Sequence, residues 1–347
     1  MQTNKENSSS RIEYIDALRG FTMILVVLQH VATFGWGISD DMPSIHPYLQ
    51  QFRMPLFFFI SGFVLYKTNV IWNVSHVRQF LSKKFLVQII PTIVFLILFC
   101  KFTGWGLVDS LFDPAKAGYW FTYTLFVFFV FYSILRLCFH GRLEDIAIVV
   151  AALFFYVITW KPVYGNIPLS DSYKGLLGIQ QWIYFCFFLT GTLVRKHFHL
   201  VQQKLDGRWL ITLCVLVYFL LNFYRSTLPD VGLIKVPVNL LCSLAGILIL
   251  FAFFRANQSS FSKDRAIGRV LQYVGRRTLD IYLLHYFFLP QGLGDAFPVF
   301  VDYPMPVVEA VCSFIIAIVI VALCLLMSNI IRLSPVLARW LFGVKVS

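Results

Sequence analysis

The sequence predicts an all-α, polytopic membrane protein with about ten transmembrane helices. Its composition excludes an ordinary soluble domain: 59% of the 347 residues are hydrophobic and 18% aromatic, and the mean hydropathy is +0.75. The apolar residues recur in runs long enough to cross, or nearly cross, a bilayer: 12–34, 48–66, 85–102, 119–139, 143–160, 179–194, 208–224, 236–254, 277–291 and 307–331. The basic residues sort by connection. If the amino terminus is cytoplasmic, the outer connections hold only Lys101, Lys116, Lys161, Lys174, Arg225 and Lys235. Arg19 and Arg53 lie within spans, and all the other Lys and Arg residues fall on the inner side. That bias follows the positive-inside rule and places both termini in the cytoplasm. The net charge of +12 is therefore topology, and no nucleic-acid partner is expected.

In chain order, residues 1–11 read as a disordered cytoplasmic leader, 12–332 as the membrane domain and 333–347 as a cytoplasmic tail. The polar start, with no small-residue cleavage site after the first run, argues against a signal peptide. Val74 to Lys84 is polar, with Val77, Phe80 and Leu81 on one side, and reads as an interfacial helix. Arg276, Arg277 and Asp280 crowd the start of the ninth run and Pro290 ends it, which makes it the weakest. The outer connection Pro290–Pro306, with Asp295 and Asp302, reads either as a lid over a cavity or as an ordinary loop. Seven cysteines stand singly in apolar runs without metal-ligand spacing, so they read as packing and no metal site is expected. No internal repeat is visible.

The first run carries Asp16, Arg19 and His30 inside otherwise apolar sequence. Charge in hydrocarbon is costly unless it is paired or faces water, so such residues flag function. Eleven steps of about 100° return His30 to within about 20° of the Arg19 face, some 16 Å further along the helix. Asp16 lies one turn below Arg19 and can pair with it. A cation near one membrane surface and an imidazole near mid-depth would thus share one wall of a cavity.

Four motifs then bring a resemblance. Asp16-Ala-Leu-Arg19-Gly20, followed at the same helix face by His30, resembles the opening signature of the acyltransferase 3 family, Arg, ten residues, then His. Met54-Pro-Leu-Phe-Phe-Phe-Ile-Ser-Gly-Phe63 resembles the family's aromatic run ending in Ser-Gly-Phe. Trp120-Phe121 with Leu125 resembles its middle-helix start, and Gly275-Arg-Arg-Thr-Leu-Asp-Ile-Tyr-Leu-Leu-His285 its Gly-x-x-Ser-Leu-x-x-Tyr-x-x-His segment. The resemblance implies a membrane enzyme moving an acyl group, most often acetyl, from cytoplasmic acyl-CoA to a carbohydrate hydroxyl. That would be O-acetylation of a polysaccharide or lipid-linked sugar of the cell envelope, in a bacterial inner membrane. Acetyl-CoA would be a substrate and no cofactor would be bound. One departure stands out: where the family has arginines ahead of a proline, this chain has Lys83-Lys84-Phe-Leu-Val-Gln88-Ile-Ile-Pro91, which supplies point charge without the guanidinium fork.

The residues suggest a mechanism on their own. Acyl transfer needs a base for the acceptor proton and a donor for the developing oxyanion. His30 suits the base, and Arg19 suits a donor phosphate or the pantetheine amide. His285 reads as a second catalytic or acceptor-binding group, or as polar glue between helices. Arg53 reads as a contact for an anionic acceptor, or as a side chain snorkelling to the outer interface. Ser61 reads as an acyl carrier or as a small residue for close helix contact, while Trp120 and Tyr282 read as path lining or packing. The competing class is a membrane transporter using the same buried ionisable residues. Such a protein is expected to show repeat symmetry and acidic pairs, and neither is seen here.

Overall fold

The computed structural model describes residues 12–39, 44–68, 70–205, 208–224, 227, 232–297 and 305–344. The expected leader 1–11, Asp302 and the last three residues of the expected tail lie outside them. The fold is all-helical, with 82% helix and no strand among the described residues.

The helices are α1 (Glu13–His30), α2 (His46–Leu65), α3 (Val74–Lys84), α4 (Ile90–Thr103), α5 (Leu107–Phe112), α6 (Trp120–Cys138), α7 (Gly141–Ile158), α8 (Lys161–Gly165) and α9 (Asp171–Leu177). They continue with α10 (Ile183–Lys196), α11 (Phe198–Leu205), α12 (Arg208–Tyr224), α13 (Gly232–Ala256), α14 (Ala266–Arg276), α15 (Thr278–Leu284), α16 (Leu293–Ala296), α17 (Pro306–Ile331) and α18 (Pro335–Phe342). Among the described residues, five stretches are long and apolar enough to cross a membrane: Glu13–Gly35, Val74–Thr103, Trp120–Cys138, Ile234–Ala256 and Pro306–Ile331. Counting each of two bent helix pairs as one crossing raises the number to seven.

Two segments differ from the sequence reading. The ninth run is not one long helix. Its polar start ends α14 at Arg276, the chain breaks at Arg277, and α15 covers only Thr278–Leu284 before a 3₁₀ turn at His285–Phe287. The interfacial helix is not separate either. α3 buries none of its residues, yet it runs through a π-turn at Phe85–Ile89 into α4, making one helix of 30 residues. The Asn73 side chain caps α3 by accepting from the His76 amide.

Close helix contact rests on two glycine pairs. A Cβ on Gly20 would stand 2.0 Å from the Leu271 carbonyl oxygen, and one on Gly275 would stand 1.9 Å from that of Asp16, so α1 and α14 touch backbone to backbone. Gly62 and Gly191 do the same for α2 and α10, at 1.9 Å from Phe188 and 2.1 Å from Phe59. The aromatic runs fill the core beside these seams: Phe58, Phe63, Phe128, Phe185 and Phe188 are fully enclosed. Ring pairs such as Phe58–Phe128 (5.1 Å) and Phe128–Phe185 (4.8 Å) lie in the range aromatic side chains favour.

Carboxylates tie the helix junctions. Asp280 receives Arg332 in a forked contact, with Nη2 at 2.8 Å and Nε at 3.0 Å, together with Arg277 Nη1 at 3.2 Å and the Ser328 hydroxyl. Glu309 at the start of α17 receives Ser44 and Ser313 and meets the His46 ring at 3.0 Å. At the α6–α7–α10 junction, Glu144 pairs with Arg136 and Lys196, and Asp145 with Lys196 and His197.

Candidate active site

Every fourth or third residue of α1 on one face, Arg19, Met23, Val26 and His30, lines a single cavity of about 150 Å³. α2 contributes Arg53, Met54, Phe57 and Ser61. α6 contributes Trp120, Phe121, Thr122 and Leu125, while Gln88 enters from the π-turn before α4. The far wall is Thr278, Leu279, Tyr282 and Tyr286 from α15 and the turn after it. No carboxylate is among these lining residues.

The imidazoles define a direction for proton traffic. His285 Nδ1 lies 2.8 Å from the Tyr282 carbonyl and 3.1 Å from that of Ile281, both of which only accept. Nδ1 must therefore carry the proton, and Nε2 of neutral His285 is a bare acceptor. That atom is 2.9 Å from His30 Nδ1, so neutral His30 donates from Nδ1. This leaves the lone pair of His30 Nε2 facing the cavity, with the Tyr286 hydroxyl 3.3 Å away. The two rings are nearly parallel, 5.0 Å between centroids. His30 thus has its tautomer fixed from behind by a chain that begins at two backbone carbonyls.

The wall opposite is held by a strained loop. Lys116 (φ 48°), Ala117 (φ 50°) and Gly118 (φ 92°) are successive left-handed residues ahead of α6. For the two non-glycines this conformation costs on the order of 1 kcal/mol or more each. Lys116 is buried, and its ammonium donates to the carbonyls of Leu111, Gly175 and Leu176 at 2.9, 3.0 and 3.2 Å. Burial pushes its pKa down to about 8, with Asp113 pulling the other way, so the charged form is the costly one and the three carbonyls offset part of that cost. The loop presents the Gly118 carbonyl to the hydroxyls of Tyr282 (2.9 Å) and Tyr286 (3.3 Å). A side chain on Gly118 would collide with the Tyr286 ring.

The sequence-predicted residues fall into two groups. Arg19, Arg53, His30, Ser61, Trp120 and Tyr282 line the cavity, and His285 stands directly behind His30. Arg19 donates to Thr278 at 3.2 Å. Asp16 is buried against Gly275 at the α1–α14 seam. Ser61 lines the cavity, but its hydroxyl donates to the Phe57 carbonyl one turn back, at 2.8 Å, an ordinary helical back-bond. The Tyr282 hydroxyl is engaged twice, donating to Gly118 and accepting from the Phe121 amide at 3.0 Å, so it pins the start of α6. Trp120 stacks on Tyr184.

For Arg53 the structure takes one of the two readings, the cavity contact, and two lysines sit outside the cavity. Arg53 does not snorkel: it is 8% exposed and turns into the cavity, because α2 continues well beyond it on both sides and its neighbours pack against other helices. Lys83 is exposed and lines a separate cleft with Arg339 and Trp340 of α18. Lys84 lies over the Phe129 ring, 4.4 Å from its centroid, and is within electrostatic reach of Arg19 without lining the cavity. The sequence reading missed Tyr286, Gly118, Thr278 and Gln88 as wall residues. Tyr286 follows directly on His285, and Gly118 stands just before the Trp120 motif, so adjacency was the available signal.

A bundle of apolar helices around a cavity that holds two guanidiniums and an imidazole defines an integral membrane protein with a built internal ligand site. The acyltransferase-domain model matches residues 12–326, and the chain belongs to the acyltransferase 3 family, so it is a membrane acyltransferase. No curated protein and no solved structure matches the chain.

Proposed function

We propose that the protein transfers an acyl group, acetyl in the simplest case, from cytoplasmic acyl-CoA to a hydroxyl of a glycan or lipid-linked sugar, with His30 as general base. The observation that carries this reading is the cavity-facing Nε2 lone pair of His30, backed by His285 and set between the two arginines of one cavity. The acceptor hydroxyl gives its proton to His30 Nε2 as its oxygen attacks the thioester carbonyl. The tetrahedral species collapses with cleavage of the carbon–sulfur bond, and the leaving CoA thiolate takes the proton back from His30. No acyl-enzyme is required, which agrees with a Ser61 hydroxyl bonded into its own helix.

Arg19 and Lys84 give the donor phosphates or pantetheine a cationic entrance at one end of the cavity, and Lys83 and Asp16 support that end from outside it. Trp120 and Tyr282 offer apolar faces to the sugar or acyl chain. The wider setting we infer is ten crossings, both termini in the cytoplasm, and a bacterial inner membrane whose cell-envelope polysaccharide is modified. The test is purified protein in detergent with labelled acetyl-CoA and a panel of sugar acceptors. Transfer that disappears in His30→Ala supports the reading. Equal background release of CoA by both proteins with every acceptor sinks it.

A further inference from the structure

We propose that the acceptor is an acidic sugar, and that the Arg53 guanidinium grips its carboxylate or phosphate beside the reacting hydroxyl. This rests on the acyl-transfer reading above and names the class of substrate that reading leaves open.

Arg53 is built into place. Pro55, inside α2, cannot donate to the Gln51 carbonyl one turn back, and that carbonyl accepts instead from the Ser243 hydroxyl of α13, at 2.6 Å. Phe52 is packed on Gly246 of the same helix, where an added Cβ would come within 2.7 Å of it. With α2 pinned to α13 on that side, the next residue, Arg53, points the other way, into the cavity. It is 92% buried, and its Nε and Nη1 are fully enclosed with no hydrogen-bond partner among the described residues.

A guanidinium without a counter-charge is expensive in such surroundings, and this chain does not tolerate the reverse case: the buried carboxylates Asp280, Glu309 and Glu144 each meet several donors. The groups within electrostatic reach of Arg53 include His30 and the hydroxyls of Tyr184 and Tyr286, and no carboxylate is among the residues that line the cavity with it. The partner, absent among the described residues, arrives with a ligand. Acetyl-CoA does not bring it, because its negative charge lies in the phosphates, for which the Arg19 and Lys84 end is suited, and its thioester end is neutral. The remaining molecule in the reaction is the acceptor. Guanidinium binds carboxylate or phosphate through two parallel N–H bonds, which would fix the sugar ring and so the hydroxyl presented to His30.

The experiment measures acetyl transfer from labelled acetyl-CoA to paired acceptors, methyl glucuronide against methyl glucoside and glucose 6-phosphate against glucose. For the wild type we expect kcat/KM to be about tenfold or more higher for the acidic member of one pair, the scale of a charge-assisted hydrogen bond. The pair that shows it tells carboxylate from phosphate. Arg53→Gln should collapse the ratio within that pair through a raised KM for the acidic member, and Arg53→Lys should keep part of it. The proposal is overturned if the wild type shows no acidic preference in either pair. It is equally overturned if Arg53→Gln lowers both members of a pair alike, which would mark an oxyanion role. A preference for succinyl-CoA over acetyl-CoA with neutral sugars, abolished in Arg53→Gln, would move the anion to the donor and also end it. The wild-type ratios decide the matter even if the variants do not fold. Transfer to neutral and acidic sugars alike would refute this inference and leave the acyl-transfer reading standing, whereas no consumption of acetyl-CoA with any acceptor removes both.

Discussion

At the junction of α15 and α17, Asp280 is ringed by Arg332, Arg277 and Ser328; in the cavity, Arg53 faces imidazole and phenol, with no carboxylate among the described residues of its walls. Arginine serves in both places, and Arg53 is buried more deeply than Arg332 or Arg277. What differs is where the counter-charge comes from. At the junctions it is covalently part of the protein and serves as a clamp, as it is for Glu309 with His46 and for Glu144 with Arg136 and Lys196. In the cavity it is left to whatever binds. Buried charge in this protein thus points to a ligand where no partner is found among the described residues.

That contrast can be broken or sharpened by substitution. His30→Ala should cause the largest loss, about a thousandfold in transfer rate, because the proposed base disappears from the cavity; a variant that keeps a tenth of the activity would dissolve the distinction between the two regions. Asp280→Ala should act on stability, since it strands Arg332 and Arg277. Thermal unfolding in detergent is expected to report a loss of about 3 kcal/mol, and an unchanged melting temperature would show that the clamp is ornamental. Gly275→Ala drives a methyl into the Asp16 carbonyl and should cost about 1 to 3 kcal/mol by the same measurement, as α1 and α14 are forced apart. His285→Phe preserves bulk but releases the His30 tautomer. We expect kcat to fall about tenfold or more with KM for acetyl-CoA little changed, and a purely structural role would instead show in the unfolding curve. Ser61→Ala should have the smallest effect, leaving transfer nearly intact, and a loss as deep as that of His30→Ala would reinstate a covalent route.

The sequence carried the helical class plainly, because runs of apolar residues leave few alternatives, and it carried the α1 stripe because helical spacing alone brings residues 19, 23, 26 and 30 to one face. The number of crossings was less legible. A run such as 277–291 has the composition of a span, yet Arg277 and the polar residues around it favour a break, and hydropathy does not register that the next helix stops after seven residues. The fate of Arg53 was not legible either. Snorkelling and burial are both open to an arginine in the outer part of a helix, and the choice was made by Pro55 and by the Ser243 hydroxyl bonded to the Gln51 carbonyl, residues 192 positions apart. The backing of His30 by His285 spans 255 positions and was visible only as two histidines in two separate motifs. Gly118 was hidden for another reason: its value is a carbonyl direction set by a strained loop, and side-chain chemistry gives no hint of it.

Two π-turns adjoin residues of the cavity: Val31–Gly35 follows directly on His30, and Phe85–Ile89 contains Gln88. A π-turn is an α-helix that has accommodated one surplus residue. Each is therefore a place where the polypeptide can gain or lose a single position and rotate the groups beyond it by about a third of a revolution, while the ends of the helix stay docked. Gene variation confined to these two points would re-aim the wall of the chamber without rebuilding the bundle, which gives this architecture a cheap route from one acceptor to another.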